Sequence, residues 1–221
     1  MLQQALQLLR ETKFEDIVCW VILLGGCRSA NDLALGRVAF DKIMKIDNRH
    51  AASYVLMSNL LSSNGLEKDV ENLRQTMSNN NITKIPGITT VEINGVFHRF
   101  VCDESNHPQM DIINRELDIL VEELIQAGYT INTSLVTKTG LSEQEKRKLI
   151  CRHSEKMAMA YAFTQLPKGS TIKLQNNLRV CFDCHTALKF ISKIRGCEII
   201  VRDARRYHTF KDGKCDCGDC Y

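Results

Sequence analysis

The sequence predicts a protein of mixed α+β/α/β class, in which a small all-helical module precedes a β-sheet flanked by helices. Residues 1–84 show helical periodicity and no strand signal. Residues 88–101 indicate two β-strands joined by an Asn-Gly turn. Beyond residue 142, helical stretches alternate with short β segments, which is typical of a sheet covered by helices.

Length and composition limit the number of domains and the class of protein. The 221 residues are enough for one full core and a smaller module. A hydrophobic content of 44% and a charged content of 25% are typical of a globular protein. We expect no membrane partner, because no stretch approaches the roughly 20 apolar residues that a spanning helix needs. No secretory leader is visible, and Met1 runs directly into helical sequence, which favours a fragment of a longer protein.

Charge is distributed unevenly. Residues 142–221 contain 16 Lys and Arg against 9 Asp and Glu, whereas residues 1–141 contain 13 against 17. The basic half favours a polyanionic partner such as RNA. A mixed, solvated surface would explain the same charges.

The ten cysteines favour metal binding. Four of them are spaced like metal ligands and lie near histidines: Cys181, Cys184, Cys215 and Cys217. Thiolates grouped with imidazoles in a chain without a secretory leader favour zinc over disulfides. Cys220 is a competing ligand, and we expect the others to be core residues: Cys19, Cys27, Cys102, Cys151 and Cys197.

The helical module of residues 1–84 contains an internal similarity. Placing residues 17–50 over residues 51–84 aligns Trp20 with Tyr54 and Leu23 with Met57. This offset of 34 residues is typical of tetratricopeptide-like repeats, in which a helix pair buries its apolar face against its neighbours. Two copies favour an array truncated at its N-terminus; a four-helix cap with accidental similarity is the alternative.

Residues 85–221 form the second predicted domain, which opens with a hairpin over residues 85–101. Asn94-Gly95 is a strong turn signal because both residues tolerate positive φ. In the next segment, residues 103–141, we expect a helix that begins at Pro108 and ends at Gly128. Its apolar stripe consists of Ile113, Leu117, Leu120 and Leu124.

The last 80 residues combine periodic and irregular sequence. Ser142 and Glu145 predict a capping box at the start of a helix. We expect a β segment over residues 171–180, a helix over residues 181–194 and a strand over residues 197–202. Residues 203–221 show no periodicity and are rich in ligand-type side chains, so we expect this tail to fold around an ion.

Four side chains form the candidate catalytic centre: His153, Glu155, Cys181 and Cys184. One imidazole and two thiolates would hold a zinc ion and leave its fourth tetrahedral position for water, as catalytic rather than structural zinc requires. Glu155 would then carry protons instead of binding the metal. Each of the two motifs is a weak signal by itself. H-x-E also occurs on ordinary helix surfaces, and C-x-x-C also occurs in redox pairs and zinc knuckles.

Helical geometry restricts where this motif can work. Residues two apart diverge by about 200° in mid-helix, so His153 and Glu155 could not face one ion there. We therefore predict a helix break near Arg152. Likewise, Cys181 should end a strand and Cys184 should lie in the first turn of the next helix, where free N–H groups favour thiolate.

A second group of ligands predicts a structural zinc site with all four positions filled: His185, His208, Cys215 and Cys217. Such a site would fix the tail to the helix that carries the catalytic cysteines. The alternative is that His185 only supports the first site.

The runs HSEK, NLRVCFDCH and RYHTFKDGKCDCGDCY resemble the DYW domain of plant pentatricopeptide repeat proteins. Its H-x-E and C-x-x-C layout is that of zinc nucleobase deaminases. The upstream helical pair resembles the extension motifs of this family, and KIPGITTVEINGVFHRF resembles its Pro-Gly box. The resemblance covers essentially the whole chain and implies a cytidine deaminase-like sheet flanked by helices.

The same resemblance implies an RNA-editing enzyme that converts cytidine to uridine in chloroplast or mitochondrial transcripts. It implies two zinc ions, with Glu155 as the proton shuttle. The catalytic ion would be held by His153, Cys181 and Cys184, and the structural ion by His185, His208, Cys215 and Cys217. The implied partners are single-stranded organellar RNA and other organellar editing factors, and no DNA. An upstream repeat array, absent from this sequence, would choose the RNA site.

The chain departs from the family pattern at its C-terminus and at two internal positions. The chain ends in Asp219-Cys220-Tyr221 where the family has Asp-Tyr-Trp. Thr209 stands where His is common, and Thr90 where Trp is usual. None of these positions is one of the seven implied zinc ligands, although Cys220 is the competing ligand named above.

Alternative functions stay open. The chain could be a non-catalytic, zinc-stabilised module that binds RNA or protein, an enzyme that aminates uridine, or a thiol redox protein. Residues 103–141 would either act as a lid over the zinc or pack permanently on the sheet. An aromatic wall for the base would come from Phe163, Phe182 or Tyr207, although core packing explains each of them more simply.

Overall fold

The computed structural model describes residues 1–12, 16–102, 106–136 and 140–219. Its backbone divides into two compact units. The first comprises Met1–Ile85 with Ser134–Leu141, and the second comprises Pro86–Thr133 with Ser142–Tyr221. Within the described ranges, no helix combines the length and the apolar character needed to cross a lipid bilayer.

The first unit is built from five helices: α1 (Leu2–Glu11), α2 (Ile17–Ala30), α3 (Leu33–Ile46), α4 (Ala51–Ser63) and α5 (Glu67–Asn79). Helices α2 and α4 begin 34 residues apart, and so do α3 and α5. The aligned pairs Trp20/Tyr54 and Leu23/Met57 are all buried. That the two hairpins form a tetratricopeptide-like module stays a prediction.

The second unit contains a six-stranded sheet in the order β2-β1-β3-β4-β5-β6. Its strands are β1 (Ile88–Ile93), β2 (Val96–Val101), β3 (Ile172–Asn176), β4 (Ile199–Arg202), β5 (Tyr207–Lys211) and β6 (Lys214–Cys215). Strands β3 and β4 are parallel, and the other neighbouring pairs are antiparallel. The predicted mixed α/β class is confirmed.

The hairpin of β1 and β2 has the predicted bounds. Asn94 and Gly95 have φ values of 52° and 77°, the conformation for which the Asn-Gly pair is selected. Ile88 pairs with Val101 and Ile93 with Val96, so the two-residue turn sets the register of the whole hairpin.

The tail contains more regular structure than the sequence predicts. Strands β5 and β6 form a hairpin within residues 203–221, where we expected none. Its turn is made by Asp212 and Gly213, with φ values of 50° and 80°. The Asp-Gly signal was present in the sequence, but β6 has only two residues and the buried residues of β5 are His208 and Phe210, so no apolar alternation marks either strand.

Among the described residues, four α-helices complete the second unit: α6 (Met110–Gln126), α7 (Glu143–Cys151), α8 (Ser154–Gln165) and α9 (Phe182–Ile194). The predicted capping box of Ser142 and Glu145 is confirmed at the start of α7. Helix α8 is buried without interruption from Ser154 to Ala162 because it packs against β1, β2 and β3 on one side and α6 on another. It is the central helix of the unit.

Helix α6 belongs to the core of the second unit. Its stripe of Ile113, Leu117, Leu120 and Leu124 is at most 1% exposed and packs toward α8 and α9. Pro108 lies two residues before the helix and not at its first position, whereas Gly128 ends the helix as predicted, with φ 96°. Burial of this stripe favours permanent packing of α6 over movement as a lid. Residues 103–105 and 137–139 of the predicted lid lie outside the described residues.

Candidate metal centre and active site

The first group of predicted ligands comes together between α8 and α9. His153 Nδ1 lies 3.4 Å from Cys181 Sγ and 3.5 Å from Cys184 Sγ. The three ligand atoms lie within 4.8 Å of one another. Such spacing allows one ion of the size of zinc to contact an imidazole and two thiolates.

Two helix N-termini aim these side chains. Helix α7 ends at Cys151 and α8 begins at Ser154, so the predicted break near Arg152 is confirmed and His153 is the N-cap of α8. Cys181 is the N-cap of α9, and its Sγ accepts a hydrogen bond from the N–H of Cys184 at 3.3 Å. Cys184 lies in the first turn as expected.

The prediction that Cys181 ends a strand is wrong. Strand β3 stops at Asn176, and residues 177–180 form a loop before α9. In this loop, Asn177 accepts a hydrogen bond from the N–H of Ile88 instead of continuing the ladder with β4. The polar run of Gln175, Asn176 and Asn177 was the visible sign of a strand end.

Glu155 is held in a buried hydrogen-bond network. Asn176 Nδ2 donates to one carboxylate oxygen of Glu155 at 3.0 Å, and Ser154 Oγ lies 3.3 Å from the other. Thr89 Oγ1 lies 2.8 Å from both Ser154 Oγ and Asn176 Oδ1. Burial, Cys181 and Glu155 all raise the pKa of Cys184, so the carboxylate is within electrostatic reach of the candidate ligands. Asn176 of β3 and Ser154 therefore fix the position of the Glu155 carboxylate, and Thr89 of β1 holds both of them in place.

Lys156 gives the site a buried positive charge. Its Nζ lies 2.5 Å from Asp183 Oδ2 and 3.7 Å from Cys184 Sγ, and it also donates to the carbonyl of Ile150. The alternative that the H-x-E segment lies on an ordinary helix surface is therefore wrong, because Glu155 is 7% exposed and the Lys156 side chain is 1% exposed. An ammonium group beside Cys184 favours the thiolate form of a ligand.

The chemistry of these donors fits zinc. Hydrogen bonds from Cys184 and His153 lower the pKa of the Cys181 thiol, whereas burial raises the pKa of Cys184. One thiolate is thus already favoured, and a divalent cation would supply the charge that the second needs. Two sulfur ligands and one nitrogen are a donor set that zinc takes in catalytic sites with a free fourth position.

The second group of predicted ligands also comes together. His185 Nε2 lies 3.3 Å from Cys217 Sγ, and His208 Nδ1 lies 3.7 Å from Cys215 Sγ. The four ligand atoms lie within 4.8 Å of one another. Burial lowers the pKa of His185 to about 4, so its imidazole is neutral at neutral pH, which is the form that binds metals. This set would fill a tetrahedron completely.

Asp203 connects the surroundings of the two groups. One of its carboxylate oxygens accepts hydrogen bonds from the N–H of Val180 and from His208 Nε2, both at 3.2 Å. Val180 precedes Cys181 directly, and His208 belongs to the second group. Burial alone would raise the pKa of Asp203, but hydrogen bonds from His208 and from backbone N–H groups outweigh it and hold the pKa well below its usual range.

The remaining cysteines and aromatic residues divide into interior and surface positions. Cys27 and Cys197 are buried, and Cys19, Cys102 and Cys151 are half-buried; among the residues described, none joins either group. Cys220 and Tyr221 lie outside that part of the chain. Phe163 packs under Arg195, with the guanidinium 4.8 Å from the ring centre, whereas Phe182 and Tyr207 are 51% and 64% exposed.

The structure adds five residues that the sequence did not single out: Thr89, Lys156, Asn176, Asp183 and Asp203. Each is buried, and each contacts a candidate ligand, Glu155, or a residue that does. A buried polar residue needs a partner, so these positions support the site and do not merely fill the core.

Comparisons with known proteins match two parts of the chain to family models and most of the chain to longer plant proteins. Residues 128–221 match the model of the DYW family of nucleic acid deaminases, and residues 30–92 match the E motif. A chloroplastic pentatricopeptide repeat-containing protein of Arabidopsis thaliana is 40% identical over 90% of this chain. A mitochondrial protein of this kind from the same plant is 39% identical over 99% of the chain, and one from Oryza sativa subsp. japonica is 38% identical over 92%. The chain spans 33%, 33% and 35% of the lengths of these relatives.

Proposed function

Since residues 128–221 of this chain belong to the DYW family of nucleic acid deaminases, we propose that the protein is a zinc-dependent RNA cytidine deaminase. It converts cytidine to uridine by hydrolysis, with release of ammonia. The observation that carries this proposal is a buried, oriented carboxylate, Glu155, beside an imidazole and two thiols that can share one ion. A module that only binds RNA has no need of a proton carrier at that position.

Zinc would be held by His153, Cys181 and Cys184 in the catalytic site. When bound, it supplies the Lewis acidity that makes a water molecule nucleophilic near neutral pH. A second zinc ion would be held by His185, His208, Cys215 and Cys217. With four protein ligands it has no open position and serves the fold.

Glu155 performs the proton transfers. It accepts a proton from the attacking water as the oxygen bonds to C4 of cytosine, and it delivers a proton to N3. It then takes the remaining proton from the oxygen now bonded to C4 and delivers it to the departing amine, so that the C4–N bond breaks, ammonia leaves and a carbonyl forms. Asn176 and Ser154 hold the carboxylate through these steps, since both contact its oxygens.

The setting of the reaction is plant organellar RNA. Relatives of this chain carry the words chloroplastic or mitochondrial in their names and are pentatricopeptide repeat-containing proteins about three times as long. We infer that an upstream repeat array chooses the RNA site, and that this chain acts in a chloroplast or mitochondrion on single-stranded RNA. Other organellar editing factors are further partners in this proposal.

The test is deamination of a defined RNA. The chain is fused to a repeat array of known target and incubated with a single-stranded RNA that carries one cytidine at the editing position. Sequencing of the product measures uridine, and a coupled assay measures ammonia. We expect equal amounts of both, and their complete loss in the Glu155→Gln variant while its zinc content stays at that of the wild type.

Two outcomes would contradict the proposal. Uridine formation that persists in Glu155→Gln would remove the proposed proton carrier. A zinc-loaded wild type that binds the RNA and yields no uridine would favour a non-catalytic, zinc-stabilised module. An RNA with uridine at the same position is the control for the reverse amination, and we expect it to stay unchanged.

A further inference from the structure

The two loops that border the candidate metal centre carry a concentration of positive charge. With the residues that flank them, these loops make up residues 177–182 and 202–207, whose only carboxylate is that of Asp203. Phe182 begins α9, Arg202 ends β4 and Tyr207 begins β5. The Asp203 side chain is 1% exposed. The side chains of four arginines in these loops are exposed: Arg179, Arg202, Arg205 and Arg206. The surface of both loops is therefore basic and without an exposed acid.

Two exposed aromatic rings lie close to these arginines in the sequence. Phe182 follows the candidate ligand Cys181 directly and is 51% exposed, and Tyr207 follows Arg206 and is 64% exposed. Large rings of this kind are usually buried, and exposed rings beside a candidate active site suggest a surface that binds a planar group. We call the four arginines and the two aromatic residues the arginine–aromatic rim.

Hydrogen bonds fix the rim next to the candidate active site. The N–H groups of Arg205 and Arg206 donate to one oxygen of Asp203 at 2.7 and 2.9 Å, and the N–H of Asp203 donates to the carbonyl of Arg206 at 2.9 Å. The other oxygen of Asp203 accepts the N–H of Val180, which precedes Cys181. The second loop is thus a preformed turn attached to the residue before the first metal ligand.

We propose that the arginine–aromatic rim binds the single-stranded RNA that flanks the target cytidine, with its arginines on phosphates and Phe182 and Tyr207 stacked on neighbouring bases. This inference rests on the proposed RNA substrate. Single-stranded nucleic acids are bound by basic grooves that offer aromatic rings to unpaired bases. A preformed turn loses little conformational entropy when RNA binds, which favours affinity.

The test measures RNA binding separately from deamination. The protein carries Glu155→Gln in every case, and the probe is a fluorescein-labelled 12-nucleotide single-stranded RNA with one central cytidine. We compare the variant R205A/R206A with K168A/K173A, which removes two exposed cations near the start of β3, away from its carboxyl end. Anisotropy titrations at several salt concentrations give the Kd and its salt dependence. Zinc content confirms that each variant is folded.

We expect R205A/R206A to weaken binding and to reduce the slope of log Kd against log salt by about 1.4, since each phosphate contact to a single strand contributes roughly 0.7. K168A/K173A should keep the wild-type slope. Tyr207→Ala should weaken binding by about fivefold or more, whereas Tyr207→Phe, which keeps the ring, should bind as the wild type does. A duplex RNA of the same sequence should compete poorly because its bases are already stacked.

Several results would contradict the proposal that the rim binds RNA. These are an unchanged Kd in both R205A/R206A and Tyr207→Ala, an equal loss of slope in K168A/K173A, or full competition by the duplex. Failure of the rim and failure of the proposed function give different results. If the wild-type chain forms uridine and the rim variants bind RNA as tightly as the parent protein, only the rim proposal is contradicted. If the wild-type chain forms no uridine and the rim variants bind RNA more weakly, only the proposed deaminase activity is contradicted.

Discussion

The ammonium group of Lys156 lies 2.5 Å from the carboxylate of Asp183, and neither side chain is more than 1% exposed. Burial on its own lowers the pKa of Lys156, but Cys184 and Asp183 raise it above its usual range, so the lysine is charged. Asp183 also accepts the N–H of Asn132, 51 residues earlier in the chain. The pair therefore joins α8, α9 and the segment after α6.

We expect Lys156→Met to reduce the free energy of unfolding by about 3–5 kcal/mol, because it leaves the Asp183 carboxylate buried and unpaired. The double variant K156M/D183N should recover much of this loss. Urea denaturation of the zinc-loaded protein measures both. Arg37→Met is the matched control, since it breaks an exposed pair with Asp69 and should cost under about 1 kcal/mol. A loss in Lys156→Met as small as in this control would contradict the prediction.

Asn176→Ala should lower kcat for deamination by about tenfold or more and change KM little, because Asn176 orients the Glu155 carboxylate for the transition state. Steady-state kinetics on the fused enzyme measure the two constants. Gln175→Ala is the control, since the neighbouring side chain is exposed and should leave kcat unchanged. A change in KM alone would instead indicate a role in substrate binding.

Asp203→Asn should weaken the second zinc site by about 10- to 100-fold, because a carboxylate that accepts from a ligand imidazole fixes its orientation. Competition with a chromogenic chelator resolves the two ions by affinity. Asp212→Asn serves for comparison, since Asp212 also lies in the tail but is exposed at the turn between β5 and β6, where Asn tolerates its positive φ. Equal retention of both ions by Asp203→Asn would exclude the positioning role.

Removal of zinc should unfold the tail before the hairpin of β1 and β2. Structural zinc sites contribute about 10–16 kcal/mol of apparent folding free energy in small domains. Hydrogen exchange after treatment with a chelator should show loss of protection over residues 203–219, whereas residues 88–101, which contain no candidate zinc ligand and are held by strand pairing and by packing against α8, keep theirs. Uniform exchange of both regions would show that the second unit unfolds as a whole.

We expect the protein to become less stable in mild acid because His107 becomes protonated. Burial, and after it the nearby His98, lower the pKa of His107 in the folded protein. A histidine whose pKa is lowered by folding stabilises the protein above its unfolded pKa of about 6.5, and this contribution is lost as the pH falls. The melting temperature of His107→Gln should therefore depend less on pH between about 7.5 and 5.5 than that of the wild type. His50→Gln, in the helical unit, should keep the wild-type dependence.

The geometry of the first ligand group could be predicted because it depends on local sequence. His153 and Glu155 are two residues apart, and helical geometry alone required a break before them, which the N-cap position of His153 confirms. The Asn-Gly turn and the Ser142 capping box are also local signals. The spacing of histidines and cysteines, together with the family resemblance, indicated the seven residues of the two ligand groups, and the structure brings each group together.

The supporting residues could not be predicted, because their partners are distant in the sequence. Lys156 is 27 residues from Asp183, and Asn176 is 21 residues from Glu155. A lysine or aspartate taken alone is expected at the surface. Only the packing of α8 against the sheet and α9 shows which of them are buried and paired.

Cys184 and His185 are consecutive residues of α9 and belong to different ligand groups. Consecutive side chains on a helix point about 100° apart, so neither group can be re-aimed by rotating the helix without displacing the other. The rotational setting of α9 is thus fixed at two points. An engineer who wishes to alter one centre must preserve the helical phase of α9, and single-residue insertions or deletions before Cys184 should be tolerated far less than substitutions.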